Sequence, residues 1–481
     1  MSPLLITTAL PYVNAYPHLG HAWEALLGDA LARHHRQRGR SVRFVSGTDE
    51  NSLKNARAAE RAGLSLDAWA REHALAFLHL ATELDVTYDD FVRTRADPRH
   101  ALAVRALWAR LRPHLYRGRY RGWYCAGCEQ FFPPDEGGFC AEHGRELDLV
   151  DEENVFFRLT EFADEIASSI EEGRLRIAPE HAREQALRDL AGARDVSVSR
   201  PSHRARDLGI AVPEDPTQTI FVWVDALCAY LTALGHGSPQ SQVERYFRDG
   251  EVVHVIGKGI TRFHTVLWPA LLRATELPLP HRVLVHGYVT LGGAKIAKTG
   301  TPLEPQPLID RYGSEAIRWY LLRHLRASRD GDFSEARLRE AYDAELANQL
   351  GNWVARVTGL VASKHQGRVP HGSRQPALAA SVEALPSTID LAFDRFVVDD
   401  ALGAISALVR EANRHLDAAA PWSEPDPARR GAILRAHLDA IAAVGRELAP
   451  FLPTTSERIL AAVREPVTRT PPLFPRLARA L

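Results

Sequence analysis

The first fifty residues constrain the fold of this chain more than any other stretch. Leu4-Leu5-Ile6-Thr7-Thr8 is a short apolar run suited to a buried strand. From Gly20 to Arg38 the apolar positions Trp23, Leu26, Leu27, Ala30 and Leu31 recur at helical spacing. Val42 to Ser46 reads as a second strand. Strand, helix and strand within about forty residues predict a βαβ unit, hence a parallel sheet with a crevice at its strand ends. No G-x-G-x-x-G follows the first strand, which disfavours the usual dinucleotide fold.

At the first strand-to-helix junction the chain reads Pro11-Tyr-Val-Asn-Ala-Tyr-Pro-His-Leu-Gly-His-Ala-Trp23. His18 and His21 flank Leu19-Gly20. The first turn of a helix offers unpaired N–H groups and the positive end of its dipole, a setting for phosphate. Two imidazoles three residues apart share a helix face and can donate to phosphate oxygens as charge develops. A metal pair or two surface histidines would carry the same letters.

The chain has 481 residues, enough for about three domains; 45% are hydrophobic and 25% charged, an ordinary globular balance. Net charge is −1, so contact with RNA has to use local patches. One candidate is the run Arg105, Arg110, Arg112, Arg117, Arg119 and Arg121, six arginines in seventeen residues. The plainer reading is a solvated helix face followed by a loop. No signal peptide and no membrane-spanning apolar run is visible, so a cytoplasmic protein with no membrane contact is expected. Four cysteines in a chain of this length argue against a disulfide framework. Met1 is the one methionine, a depletion for which the sequence offers no physical account.

Three of the cysteines sit together. Cys125-Ala-Gly-Cys128 is followed, after eleven residues, by Cys140-Ala-Glu-His143. CxxC then CxxH is a tetrahedral Zn²⁺ pattern, and its closed ligand set predicts one structural ion. Gly127, Gly137, Gly138 and Gly144 permit the turns that such a knuckle needs. Cys228 lies far off on an apolar run and reads as a core or pocket-wall residue. Later, Gly292-Gly293-Ala294-Lys295-Ile296-Ala297-Lys298-Thr299-Gly300 reads as a glycine-flanked loop with two ammonium groups. It suits transient polyphosphate charge, or is a polar surface loop.

His18-Leu19-Gly20-His21 early and Lys295-Ile296-Ala297-Lys298-Thr299 late resemble the two signature motifs of class I aminoacyl-tRNA synthetases. Ala9-Leu10-Pro11-Tyr12, Gly47-Thr48-Asp49-Glu50, Asp195 to Pro201, Phe221 to Ala226, Ile256-Gly257-Lys258 and Phe263-His264 resemble the methionyl-tRNA synthetases in particular, along essentially the whole chain. The resemblance implies ATP-dependent activation of L-methionine and its transfer to tRNA(Met), with Mg²⁺ accompanying ATP. It implies catalytic roles for His18, His21, Lys295 and Lys298, and ATP contacts at those four with Gly20, Glu24 and Gly257. Asp49 would hold the substrate ammonium. Leu10, Tyr12, Trp223, Ala226, Tyr230, Phe263, His264 and Trp268 would form the side-chain pocket. That set suits a polarizable thioether, and Trp223, Ala226 and Tyr230 share a helix face. The chain departs from the family pattern at Ile296, Ala297 and Thr299 in the lysine signature, at Gly300-Thr301-Pro302 after it, and at Gly259, where an aspartate is usual.

The expected fold class is α/β. Residues 1–115 and 216–282 form the two halves of a Rossmann-like catalytic domain. Residues 116–215 form a connective insertion with the zinc knuckle. Residues 283–341 form a stem-contact region carrying the lysine loop, with a packed helix from Ser314 to Arg323. Residues 342–481 form an all-α anticodon-binding bundle, in which the resemblance assigns Asn352, Arg356 and Trp422 to the anticodon. Gln366 to Ser387 reads as a loop between helices. The chain stops soon after Leu473-Phe474-Pro475 without a further tRNA-binding module, and a monomer is expected. Two alternatives to the housekeeping enzyme stand. One is a paralogue activating methionine or an analogue for a biosynthetic or resistance role. The other is a non-catalytic zinc-containing tRNA-binding protein.

Overall fold

The computed structural model describes residues 2–125, 127, 129–132, 137–140, 144–206, 208–295, 303–370 and 376–477. The chain divides into two compact units. One comprises Met1–Pro17, Gly39–Ala81 and Thr87–His286; the other comprises His18–Arg38, Thr82–Val86 and Gly287–Leu481.

The first unit is built on a six-stranded sheet in the order Asp90–Arg93, Val42–Thr48, Leu4–Thr8, Glu251–Gly257, Arg282–His286, Arg176–Ala178. Every pairing in it is parallel. Leu4–Thr8 is buried along its whole length, as its unbroken apolar-and-threonine run requires of a central parallel strand. It pairs with Val42–Thr48 on one side and Glu251–Gly257 on the other, so the strand order reverses at this strand. That reversal places a crevice at the C-terminal strand ends. Val42–Thr48 and Asp90–Arg93 approach closely at Gly47, where an added Cβ would lie 2.1 Å from the Val92 carbonyl oxygen.

A smaller antiparallel sheet holds the insertion, with Leu115–Cys125 paired to Asp148–Phe157 along almost their full lengths. Here the structure corrects the sequence reading. The arginine run continues from helix Pro98–Leu111 into this strand and not into a loop. Tyr116, Tyr120 and Tyr124 fall on the face opposite the exposed Arg117, Arg119 and Arg121, a pattern that fits a half-buried pleated surface. Carboxylates occupy much of the run's charge. Arg112 pairs with Glu214, Arg117 with Asp215, and Arg119 with Asp151 at 2.6 Å.

The second unit is mainly helical. Ser314–His324, Asn352–Lys364, Val398–Ala419, Pro427–Leu448 and Pro453–Ala462 supply most of its buried apolar faces. Pro376–Asp394 is a further helix, although Gln366 to Ser387 reads as a loop from sequence. Pro376 starts the helix, where no N–H is needed. Leu385, Ile389 and Phe393 then recur at helical spacing and are buried, while Pro386 lies on the exposed face, where water can serve the carbonyl it leaves unpaired. Among the described residues no helix is long and apolar enough to cross a membrane.

Candidate active site

In the second unit, His18 is the N-cap of helix Leu19–Gln37 and the two signature histidines cap that helix themselves. His18 Nδ1 accepts from the Gly20 backbone N–H at 3.0 Å, and His21 Nδ1 accepts from the His18 backbone N–H at 3.1 Å. This is a reciprocal capping box with imidazoles in place of the usual hydroxyl and carboxylate. Each neutral ring therefore carries its proton on Nε2 and presents it as a donor. The rings stack with centroids 3.8 Å apart. Gly20 makes this possible, because an added Cβ would fall 2.9 Å from His18 Cε1. Glu24 lies one turn on, partly buried.

The same unit brings the chain after the lysine signature to this helix start, where the Leu19 N–H donates to the Leu303 carbonyl at 3.3 Å. The stretch read as a loop begins as a hairpin. Val289–Leu291 pairs antiparallel with Ala294–Lys295 across Gly292 and Gly293, whose φ values of 60° and 80° fit a tight primed turn. Asp332 Oδ1 accepts from the Gly293 N–H and the Thr290 hydroxyl, both at 2.9 Å, and pins that turn. The backbone of Lys295 is thereby placed; Lys298 lies outside the described residues.

The first unit gathers the residues assigned to the side-chain pocket. Helix Val222–Thr232 presents Trp223, Ala226 and Tyr230 on one face, as their spacing predicts. Trp223 stacks on Phe263 with centroids 3.6 Å apart and meets Tyr12 edge-on at 6.4 Å. Leu10, Trp223 and Phe263 pack on the same core. His264 Nδ1 lies 3.1 Å from the Ile260 carbonyl, so Nδ1 donates and Nε2 accepts the Tyr230 hydroxyl proton at 2.8 Å. Burial pushes the His264 pKa down to about 4, so the ring is neutral near pH 7. Gly257 ends strand Glu251–Gly257.

Sequence reasoning missed His254, which completes the cluster. Trp268 Nε1 donates to His254 Nε2 at 3.0 Å, so the opposite nitrogen, 2.7 Å from the Thr7 hydroxyl, carries the proton. Its position inside the continuous apolar run Val252 to Ile256 marks it as buried, but the partners that give it a role come from distant segments.

Asp49 is buried and joins the Tyr12 segment, its backbone N–H donating to the Pro11 carbonyl at 2.9 Å. Burial, with Asp225 and Glu129 nearby, holds its carboxyl well above the usual range. The neighbouring carboxylates have partners. Glu50 takes Arg93 at 2.7 Å, and Asp225 takes Asn51 and His100, each at 2.8 Å. A small cleft opens beside them, lined in part by Asn51, Glu129, Arg200, Phe221 and Asp225. Asp49 Oδ1 accepts from the Asn51 backbone N–H at 3.3 Å.

Cys125 and Cys140 are buried in a small cluster with Leu147, against Trp123 and Phe132. Cys128 and His143 lie outside the described residues. Gly137 and Gly144 have φ values of 77° and 58°, and the Gly144 N–H donates to the Cys140 carbonyl at 2.8 Å.

In the helical unit, Asn352 and Arg356 stand one turn apart on helix Asn352–Lys364. The Arg356 guanidinium lies 4.9 Å from the centre of the exposed Trp422 ring and donates to Asp417 at 2.8 Å.

Residues 4–148 and 138–358 match the family description "tRNA synthetases class I (M)", and residues 367–477 match "Anticodon binding domain of methionyl tRNA ligase". Together with the parallel sheet and the helical second unit, these matches define a class I aminoacyl-tRNA synthetase. The Methionine--tRNA ligase of Brucella suis is 35% identical over 480 residues, covering 96% of this chain and 92% of that protein. That of Thermotoga maritima is 35% identical over 475 residues, covering 95% and 75%. A solved structure of Mycobacterium tuberculosis methionyl-tRNA synthetase in complex with methionyl-adenylate superimposes with a TM-score of 0.91 at 32% identity, covering 99% of this chain and 100% of that one. The chain belongs to the methionyl-tRNA synthetase family.

Proposed function

We propose that the protein is a methionine–tRNA ligase of translation. It activates L-methionine with ATP, then esterifies tRNA(Met). In the first step a methionine carboxylate oxygen bonds to the α-phosphorus as the α–β bridging bond breaks and diphosphate leaves. In the second a terminal ribose hydroxyl of tRNA attacks the acyl carbonyl and AMP leaves. The observation that carries the reading is the helix start at His18. Two imidazoles accept backbone N–H groups through Nδ1, which leaves each neutral ring its proton on Nε2, and the segment after the lysine signature is hydrogen-bonded to the same turn. Donors fixed before charge develops stabilise a phosphoryl transition state without reorganisation.

In this reading Lys295 and Lys298 clamp the outer phosphates, and Gly20, Glu24 and Gly257 border the nucleotide. Asp49 receives the methionine ammonium. Leu10, Tyr12, Trp223, Ala226, Tyr230, Phe263, His264 and Trp268 enclose the thioether. Mg²⁺, bound with ATP, neutralises phosphate charge. Zinc fits Cys125, Cys128, Cys140 and His143 as a structural ion that substitutes for core in a small insertion. Asn352, Arg356 and Trp422 read the anticodon by stacking and edge hydrogen bonds.

The test is amino-acid-dependent ATP–diphosphate exchange across the proteinogenic amino acids, followed by aminoacylation of unfractionated tRNA. Methionine-specific exchange and charging of CAU-anticodon tRNA are expected. His21→Ala and Lys298→Ala are each expected to slow exchange by at least ~10²-fold, the scale of one lost transition-state donor. Exchange within a few-fold of wild type in both variants overturns the assignment. Gly259 and Ala297 favour a second reading, a specialised paralogue; normal-rate charging of CAU tRNA counts against it.

A further inference from the structure

Behind Arg356 and Trp422 lies a hydrogen-bonded chain of rings, Trp353, His437 and His415, that the proposed function does not use. Trp353 and His437 are completely buried. The indole N–H can only donate, and it lies 3.2 Å from His437 Nδ1. Nδ1 therefore carries no proton. Burial, then His415 and Arg356, push the His437 pKa down to about 3, so the ring is neutral with its hydrogen on Nε2. That nitrogen is 3.1 Å from His415 Nδ1, which must accept. Neutral His415 then has its own hydrogen on Nε2. Among the described residues none takes that N–H, and the side chain is partly exposed.

The alternative arrangement is blocked. A proton on His415 Nδ1 would face the His437 Nε2–H, donor against donor. Flipping His437 as well would set its Nδ1–H against the Trp353 N–H. A surface imidazole ordinarily exchanges tautomers and can offer either a donor or an acceptor. Here a buried indole two rings away decides that it offers a donor.

His415, on helix Val398–Ala419, and Arg356, on helix Asn352–Lys364, both lie within electrostatic reach of His437, and Asp417, on the same helix as His415, is the carboxylate that receives Arg356. We propose that His415 is a specificity-determining residue whose Nε2–H donates to a ring nitrogen or carbonyl oxygen on the edge of an unstacked anticodon base. The proposal rests on the reading that Arg356 and Trp422 hold the anticodon. Its physical content is directional. A locked donor rewards a base with an acceptor at one place on its edge and opposes a base with an N–H there.

The experiment uses the full chain and synthetic RNA hairpins with a CAU loop or with one loop base replaced. Binding is read by fluorescence anisotropy for wild type, His415→Phe, His415→Gln and Trp422→Ala. His415→Phe keeps a ring and loses the donor. It is expected to weaken the CAU hairpin about 10-fold, the scale of one base-edge contact, and to relax discrimination at one loop position. His415→Gln retains an N–H and is expected to recover most of the affinity. Trp422→Ala is expected to weaken all hairpins together. In aminoacylation, His415→Phe raises the KM for tRNA and leaves tRNA-independent diphosphate exchange unchanged. Nitrogen-15 spectra of labelled protein should show His415 as the Nε2–H tautomer, and Trp353→Phe should convert it to a mixture. If His415→Phe binds every hairpin as wild type does while Trp422→Ala weakens them, the His415 assignment is overturned and the anticodon reading stands. If neither substitution weakens binding, the anticodon reading falls and takes this assignment with it.

Discussion

Arg318→Met removes a guanidinium that has no solvent exposure and four partners. Arg318 Nη2 meets Asp29 Oδ2 at 2.7 Å and the Pro450 carbonyl at 3.0 Å; Nε meets the Phe451 carbonyl at 2.6 Å and Nη1 the Leu84 carbonyl at 2.8 Å. Asp29 sits on the helix that His18 and His21 begin, so this one side chain fixes the signature helix within its unit. Methionine fills similar space but donates nothing, leaving Asp29 buried with a charge and three carbonyls without this donor. Removing one partner of a buried pair costs about 3–5 kcal/mol. Asp29 keeps Arg33 Nε at 2.9 Å, so the lower end, about 3 kcal/mol, is expected. At a urea slope of about 2–3 kcal/mol per molar, the midpoint falls by about 1 M. Arg318→Met combined with Asp29→Asn should recover part of the loss, because the uncompensated charge is gone. A single variant within about 1 kcal/mol of wild type, with no recovery in the double, would refute the reasoning.

Acid should weaken the first unit through His264. Its folded pKa, about 4, lies below the free value, so the unfolded chain binds the extra proton. The contribution is whole above pH ~6.5 and is lost at up to ~1.4 kcal/mol per pH unit as pH falls toward 4. Urea midpoints at pH 7, 6 and 5 should fall, and less steeply in His264→Gln; equal slopes sink the assignment. Tyr230→Phe strands His264 Nε2, which predicts a stability loss of about 1–3 kcal/mol and a KM that rises for methionine more than for ATP. Unchanged methionine KM would remove Tyr230 from the pocket. Elemental analysis is expected to find one zinc per chain, lost in Cys140→Ser along with thermal stability; equal metal content in that variant contradicts the knuckle.

Legibility in the sequence followed the range of the interaction. Strand Leu4–Thr8, helix Leu19–Gln37 and the shared face of Trp223, Ala226 and Tyr230 were readable because period and local contacts fix them. Pro376–Asp394 reads as a loop from sequence because two prolines and two serines look like loop punctuation until a buried face outweighs them. His254, the Asn51–Asp225–His100 set and the Trp353–His437–His415 chain were invisible, since their members lie tens to hundreds of residues apart.

The linear order of residues settled the family, the elements and the chemical kinds of group available, because those depend on neighbours a few positions away. Tertiary structure alone decided which nitrogen of the paired histidines carries its proton and how Asp49 comes to be buried among other carboxylates. Those are properties of a partner across space in a medium that excludes water, and no local pattern encodes them.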